Sequence, residues 1–133
     1  MKYLLTFYGH EGAEPSPEEM KEGMERWGAF ESEAIDAGVL IACEPLEESS
    51  TATTIRLPED GEATTTDGPF AESKEQLGGF CLVECESREE ALEWASKVPL
   101  RPGAGLEVRA VRDLSPFGRK SPTASPVKAA ATA

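Results

Sequence analysis

Hydrophobic and polar positions alternate along several short stretches of the chain, a pattern typical of β-strands. Six apolar or β-branched runs predict strands, over residues 2–8, 39–43, 51–57, 62–66, 80–85 and 106–111. The turn sequence from Pro58 to Gly61 separates the third run from the fourth. We therefore expect these two strands to form a hairpin.

Apolar residues at three- and four-residue spacing predict two helices. Capping boxes, in which a serine precedes a glutamate by three residues, mark both starts, at Ser16–Glu19 and Ser87–Glu90. Gly38 ends the first helix and Pro99 ends the second. One face of the first helix carries the apolar residues Met20, Met24, Trp27, Phe30, Ala34 and Ile35.

The order β-α-β-β-β-β-α-β predicts an α+β fold, a ferredoxin-like split βαβ with an inserted β-hairpin. Two helices then cover one face of an antiparallel sheet. On the first strand the consecutive residues Leu4 and Leu5 point to opposite faces of the sheet, and both are apolar. Both faces of the sheet are therefore apolar. Val83 and Leu82 repeat this arrangement on the most apolar strand. Because two helices cover only one face, we expect a homodimer that packs sheet against sheet.

The length of 133 residues suits one domain, which we assign to residues 1–113. Residues 114–133 are mostly Ser, Pro, Thr, Ala, Gly and Lys. Such a composition buries too little apolar surface to offset the entropy of ordering, and it predicts a disordered tail.

The chain has 25 acidic and 13 basic residues, and this excess of negative charge restricts the molecules that it can bind. A strongly acidic surface repels phosphate groups, so we expect neither nucleic acid nor an anionic membrane as a partner. The chain has no apolar run of roughly 18 residues and no full signal-peptide pattern. We therefore expect a cytoplasmic protein.

The sequence predicts three reduced cysteines and no disulfide. Cys81 and Cys85 lie about 13 Å apart along one strand, too far for a disulfide. With Cys43 they are predicted to be buried and reduced. The chain has one histidine and no CxxC, phosphate-loop or dinucleotide-binding motif, so we expect neither a metal nor a cofactor.

Residues 66–80, TDGPFAESKEQLGGF, closely resemble the signature of DGPF-domain proteins, a branch of the YCII-related family. Shorter matches are MKYLL at 1–5, AGVL at 37–40, STATT at 50–54 and EALEWA at 90–95. The resemblance covers about residues 1–112. It implies a dimeric α+β barrel, and some similar proteins are linked with extracytoplasmic-function sigma factors.

The wider YCII group includes a dehydrochlorinase that acts on a chlorinated hydroxyquinol, and its fold resembles that of muconolactone isomerase. A His–Asp pair has been suggested as the active site of that group. Counted back from Gly38, the histidine position is occupied here by Trp27, and Asp36 matches the acidic member.

Asp67 is the first candidate for catalysis, because a Gly-Pro turn can hold its carboxylate in a fixed direction. It would act as a general base or anchor a ligand hydroxyl, with Gly68 and Phe70 also binding the ligand. The alternative is an Asx turn, in which the carboxylate caps its own backbone and Phe70 fills the core. Glu72 and Lys74 either orient a polar ligand or belong to a solvated loop.

His10 is the second catalytic candidate, since it ends the first strand where a pocket could lie, although a solvated loop histidine fits as well. Tyr8 could present its hydroxyl to a cavity or to the dimer interface. Arg56 and Arg109 lie on strands, where they could bind a substrate anion or pair across strands with Glu62 or Glu107.

Two functions of different classes follow. The first is a small dimeric protein that binds a small organic molecule near Asp67 and Phe70, with cofactor-independent lyase or isomerase chemistry as its reaction class. The second is a non-catalytic accessory or ligand-sensing module, linked to sigma-factor regulation through contact with another protein. An acidic surface suits a basic protein partner.

Overall fold

The computed structural model of the chain describes residues 1–128. The strands are β1 (Lys2–His10), β2 (Leu40–Pro45), β3 (Thr53–Arg56), β4 (Thr64–Asp67), β5 (Glu75–Glu84) and β6 (Gly105–Ala110). The helices are α1 (Pro17–Asp36) and α2 (Arg88–Ser96). The predicted element order and the α+β class are confirmed.

Four strands form an antiparallel sheet in the order β2-β5-β1-β6, with β2 and β6 at its edges. Among the described residues β3 and β4 pair only with each other, and they form a separate two-stranded sheet, as the predicted hairpin requires. β5 starts earlier than predicted: Glu75 pairs with His10, so the charged stretch before Phe80 is partly strand.

One face of the large sheet packs against both helices and forms the core. Leu5, Cys81 and Val83 are fully buried on this face. Aromatic rings join the sheet to the helices through edge-to-face contacts, from Phe7 to Trp27 at 5.3 Å. The ring centroids of Trp27 and Phe30 lie 5.8 Å apart, and those of Phe30 and Trp94 lie 6.4 Å apart. Two helices on one face are therefore confirmed.

The opposite face of the sheet, called the open face below, carries side chains of the other parity. Leu4 pairs with Leu82 there, and both are only half-buried. Tyr8 pairs with Leu77, which is 39% exposed. An apolar face that no helix covers agrees with the reasoning that led to the homodimer, which stays a prediction.

α1 begins and ends where its sequence signals lie. The Ser16 hydroxyl accepts a hydrogen bond from the Glu19 amide at 3.1 Å, and the Glu19 carboxylate accepts one from the Ser16 amide at 3.4 Å. Gly38 follows the helix with a φ of 72°, which favours glycine. At the second helix Ser87 caps the Glu90 amide, whereas the Glu90 carboxylate accepts from the Glu86 amide and leaves the box half formed.

The prediction of three reduced cysteines is wrong for two of them. Cys43 on β2 lies opposite Cys81 on β5, and a disulfide joins them with 4.0 Å between their Cα atoms. Spacing along one strand excludes a Cys81–Cys85 bond, but the partner of Cys81 comes from the neighbouring strand. Cys85 is free and buried, as expected.

Beyond β6 the chain runs back past the start of β1. The Val111 amide donates to the Lys2 carbonyl, and a short 3₁₀ helix covers Ser115–Phe117. Lys2 donates to the Ser121 hydroxyl at 2.7 Å, and the Val127 amide donates to the Leu40 carbonyl on β2 at 2.7 Å. The last five residues of the predicted tail lie outside the described residues. No helix within residues 1–128 is long and apolar enough to span a membrane.

Candidate functional site

The loop that begins at Asp67 is held by two side chains of β3. The Thr54 hydroxyl, which is buried, donates to the Gly68 carbonyl at 2.7 Å. Arg56 donates to the Phe70 carbonyl at 3.0 Å. The Gly68 amide also donates to the Ala52 carbonyl at 2.7 Å, and its φ of 109° favours glycine. The backbone of the loop is thus fixed by residues that lie outside it.

Asp67 ends β4 opposite Thr53, and its side chain is exposed. Within residues 1–128 the Asp67 carboxylate accepts no hydrogen bond from its own turn, so the Asx turn is not formed. Because Thr54 and Arg56 already hold the loop, the Asp67 carboxylate is left free for another partner.

Phe70 does not fill the core, and that alternative is wrong. Its side chain is 69% exposed, and the Arg56 guanidinium lies 4.1 Å from the centre of its ring. This cation–π contact keeps Phe70 at the surface beside the turn. Arg56 therefore does not pair with Glu62, whereas Arg109 does form the expected ion pair with Glu107, along the same strand rather than across strands.

Glu72 and Lys74 are exposed in the segment between the turn and β5. Gln76 organises this segment, because its side-chain amide donates to the Ala71 carbonyl at 2.9 Å and to the Ser73 carbonyl at 2.8 Å. Both charged side chains are therefore presented on an ordered loop, and their proposed role in ligand binding stays a prediction.

His10 lies at the end of β1, opposite Glu75 and exposed. Tyr8 lies two pairs further into the same end of the sheet and points to the open face. His10 and Asp67 make no direct hydrogen bond in the described part of the chain. The structure thus brings His10 and the loop to one end of the sheet without joining them.

Glu11 makes the connection that the sequence did not reveal. Its carboxylate accepts from the Ser49 amide at 2.8 Å and from the Ser49 hydroxyl at 2.6 Å. These two bonds lower the pKa of Glu11 below its ordinary value. Ser49 begins the 3₁₀ helix that leads to Ala52, whose carbonyl holds Gly68. The end of β1 is therefore tied to the root of the Asp67 loop.

The glycine pair at the start of β5 forms the predicted bulge. Phe7 pairs with Gly79 and Tyr8 with Leu77, which leaves Gly78 as the extra residue. A Cβ atom on Gly79 would lie 2.9 Å from the Glu44 carbonyl oxygen. Glycine is thus required for close approach of β2 to β5, and this packing explains the motif without a ligand.

Two concavities lie at the opposite end of the sheet from Asp67. One, of about 560 Å³, is lined by Met1, Gly38, Val39, Glu84, Cys85 and Glu90, among others. Burial raises the pKa of the Cys85 thiol to about 11, so this thiol is a poor nucleophile. The other, of about 330 Å³, contains Lys2, Arg112 and Arg119. No three histidine, cysteine or acidic side chains within residues 1–128 are grouped to hold a metal ion.

The His–Asp pair suggested for similar proteins has no counterpart here. Trp27 occupies the histidine position and packs between Phe7 and Phe30. Asp36 ends α1 and is exposed. Any chemistry at this site therefore depends on other residues.

Comparison with known proteins gives two matches. The sequence model of the YCII-related domain matches residues 1–115. An uncharacterised protein of Rhizobium meliloti (strain 1021) is 38% identical over 97 residues, which cover 71% of this chain and 77% of the relative. With the ferredoxin-like α+β fold and the DGPF segment, these matches show that the chain belongs to the YCII-related family.

Proposed function

We propose that the protein is a cytoplasmic homodimer that binds a small organic molecule at the Asp67–Phe70 loop. The observation that carries the proposal is the Asp67 carboxylate, which accepts no hydrogen bond from the described residues 1–128, on a loop that Thr54 and Arg56 hold. A ligand site needs a binding group whose position is fixed by neighbouring residues and whose hydrogen-bonding capacity is still available.

The ligand chemistry follows from the side chains around the loop. Asp67 accepts hydrogen bonds or pairs with a cationic group, and the exposed Phe70 ring offers an apolar contact. Glu72 and Lys74 contribute charges of both signs next to it. The favoured ligand is a small polar molecule with a hydroxyl or amino group and an apolar part.

If the bound molecule is converted, proton transfer of the lyase or isomerase type is the reaction class that suits these groups. Asp67 would act as the base, with His10 and Tyr8 at the same end of the sheet as partners for a second proton. The second copy of the chain would close the open face next to Tyr8 and exclude water from the site.

Ligand-detected and protein-detected NMR test the binding proposal. We would screen a library of small hydroxyl- and amine-bearing fragments against ¹⁵N-labelled protein and expect hits that shift the amides of Gly68 and Phe70. Asp67→Asn should abolish these shifts at an unchanged melting temperature. Asp60→Asn, an exposed aspartate in the turn of the same hairpin, is the matched control and should retain them. Equal binding to the Asp67→Asn variant would overturn the proposal.

One observation favours the second candidate, a non-catalytic accessory module linked to sigma-factor regulation. Ile55, Leu57 and Phe70 are 68%, 78% and 69% exposed, and large exposed apolar groups are typical of interaction surfaces. Under this alternative no fragment would bind at Gly68, and Leu57→Lys would weaken association with the protein partner while Asp67→Asn would not.

A further inference from the structure

The hairpin formed by β3, β4 and their connection, residues 53–67, is called the arm. It belongs to a separate two-stranded sheet, and in the described residues no backbone hydrogen bond joins either of its strands to another element. Two-stranded hairpins are marginally stable in water without a packing partner. The exposed side chains of Ile55 and Leu57 lie on this arm. The arm therefore has the features of a segment that packs against a partner.

The charges of the arm restrict the partner. Residues 53–67 contain four acidic residues and one basic residue, Arg56, whose guanidinium is already engaged by Phe70. Glu59, Asp60 and Glu62 are exposed around the tip, and within residues 1–128 none of them forms an ion pair. An acidic arm favours a basic surface as its partner.

The chain itself carries such a surface. The concavity of about 330 Å³ beside the end of β6, called the basic groove, is lined by Lys2, Arg112 and Arg119. Two acidic residues, Glu84 and Asp113, also line it, and the Asp113 carboxylate accepts from the Ser115 amide of its own turn at 2.9 Å. Arg112 and Arg119 are exposed. With three basic and two acidic side chains, the groove has a net positive charge on a chain whose net charge is −12.

The arm and the groove lie at diagonally opposite corners of the sheet. β2 leads into the arm at the end where β1 reaches His10, whereas β6 leads into the groove at the end where β1 starts. A two-fold axis between two facing open faces, along the other diagonal, exchanges these corners. The strands of the two sheets then cross at about 90°, which is one of the two common sheet packings.

We infer that the acidic arm of each copy docks into the basic groove of a second copy of this chain. The inference rests on the homodimer proposed above and gives it a specific geometry. The two-fold axis makes the contact twice, so each dimer has two arm–groove contacts flanking the apolar open faces. Local charge complementarity offsets the repulsion between two acidic chains.

Charge reversal tests this geometry. Glu59→Lys with Glu62→Lys reverses the arm, and Arg112→Glu with Arg119→Glu reverses the groove. Each double variant should raise the dissociation constant of the dimer by about 100-fold, because like charges then meet at both contacts. Analytical ultracentrifugation measures this change. Glu22→Lys with Glu25→Lys on the exposed side of α1 gives the same change in net charge as the arm variant and should leave dimerisation nearly unaffected.

Mixing the two variants provides the decisive result. In a mixed dimer the reversed arm meets the reversed groove, and the native arm meets the native groove, so both contacts are attractive. We expect native mass spectrometry to show mixed dimers from an equimolar mixture of two variants that are monomeric alone. Circular dichroism and melting temperature check that each variant is folded.

The other outcomes are distinguishable. A dimeric wild type that neither reversal weakens overturns the arm–groove contact and leaves the homodimer intact. Rescue only when all four substitutions share one chain, with none on mixing, shows a contact within a single copy and also overturns the inference. A monomeric wild type at millimolar concentration overturns the proposed homodimer and the inference with it.

Discussion

In the C-terminal half of α1, Phe30 and Ala34 are buried against the sheet, whereas in the N-terminal half Met20 and Met24 are 49% and 67% exposed. All four side chains belong to one apolar face, and the sequence does not distinguish the two halves. The first half of the helix lies at the end of the sheet where β1 reaches His10, because α1 follows β1 and Trp27 contacts Phe7 near the end of that strand. Met20 and Met24 therefore stay outside the core of a single chain, although they continue its apolar stripe.

The two sheets differ in the same way. The four-stranded sheet has a fully covered face, while the arm has Ile55 and Leu57 in solvent. An apolar pattern in a sequence does not distinguish a surface that packs within one chain from a surface that packs against another molecule. This difference separates a body whose apolar face is buried within the single chain from an end whose apolar side chains stay in solvent.

The strongest test of this difference compares one residue from each region. Leu5→Ala in the body should lower the free energy of unfolding by about 3–4 kcal/mol, because Leu5 is fully buried and truncation leaves a cavity. Ile55→Ala on the arm should change it by no more than about 0.5 kcal/mol in dilute, monomeric protein. Urea denaturation followed by circular dichroism measures both. An equal loss for Ile55→Ala would mean that the arm packs on its own body.

The Cys43–Cys81 disulfide is the next largest contribution to the body. It closes a loop between residues 38 positions apart, so reduction should lower the free energy of unfolding by about 2–4 kcal/mol. Urea denaturation with and without a phosphine reductant measures the change. The Cys43→Ala, Cys81→Ala double variant is the control, since the reductant should then have no effect.

The same pair tests the proposed compartment. Disulfides are rare in the reducing cytoplasm. The proposed location therefore implies that the disulfide forms only once the protein meets an oxidant outside the cell, and alkylation of thiols at the moment of cell lysis should modify both Cys43 and Cys81. Recovery of the intact disulfide from cells would contradict the cytoplasmic location.

Local signals explain how much of the fold the sequence predicted. The capping residues Ser16 and Glu19 and the stop at Gly38 act within a few positions, so their effect can be derived from the sequence. The disulfide depends on which residue of β2 lies opposite Cys81. That register is set by tertiary packing, and no local pattern encodes it.

The candidate site was predicted less well, for a related reason. Asp67, Phe70 and His10 stand out by residue type, but the groups that hold the loop are Thr54 and Arg56, which lie 14 positions from the carbonyls they bind. One signal was present: Thr54 and Arg56 share a face of β3, opposite to Ile55. The sequence therefore indicates that one face of the arm makes polar contacts, but it does not indicate that these contacts are with the Gly68 and Phe70 carbonyls.

The smallest expected effect concerns the contact between Glu11 and Ser49, which ties the exposed end to the body. Because hydrogen bonds lower the folded pKa of Glu11, the contact stabilises the fold above the ordinary value of 4.5 and loses this effect as the pH falls through the lowered value. Ser49→Ala should return the Glu11 pKa to its ordinary range, measured by ¹³C NMR titration of the side-chain carboxyl. Thr51→Ala in the same 3₁₀ helix is the matched control, since within residues 1–128 the Thr51 hydroxyl bonds only the Glu48 carbonyl. A wild-type Glu11 that already titrates near 4.5 would show that β1 and the loop root are not connected through this contact.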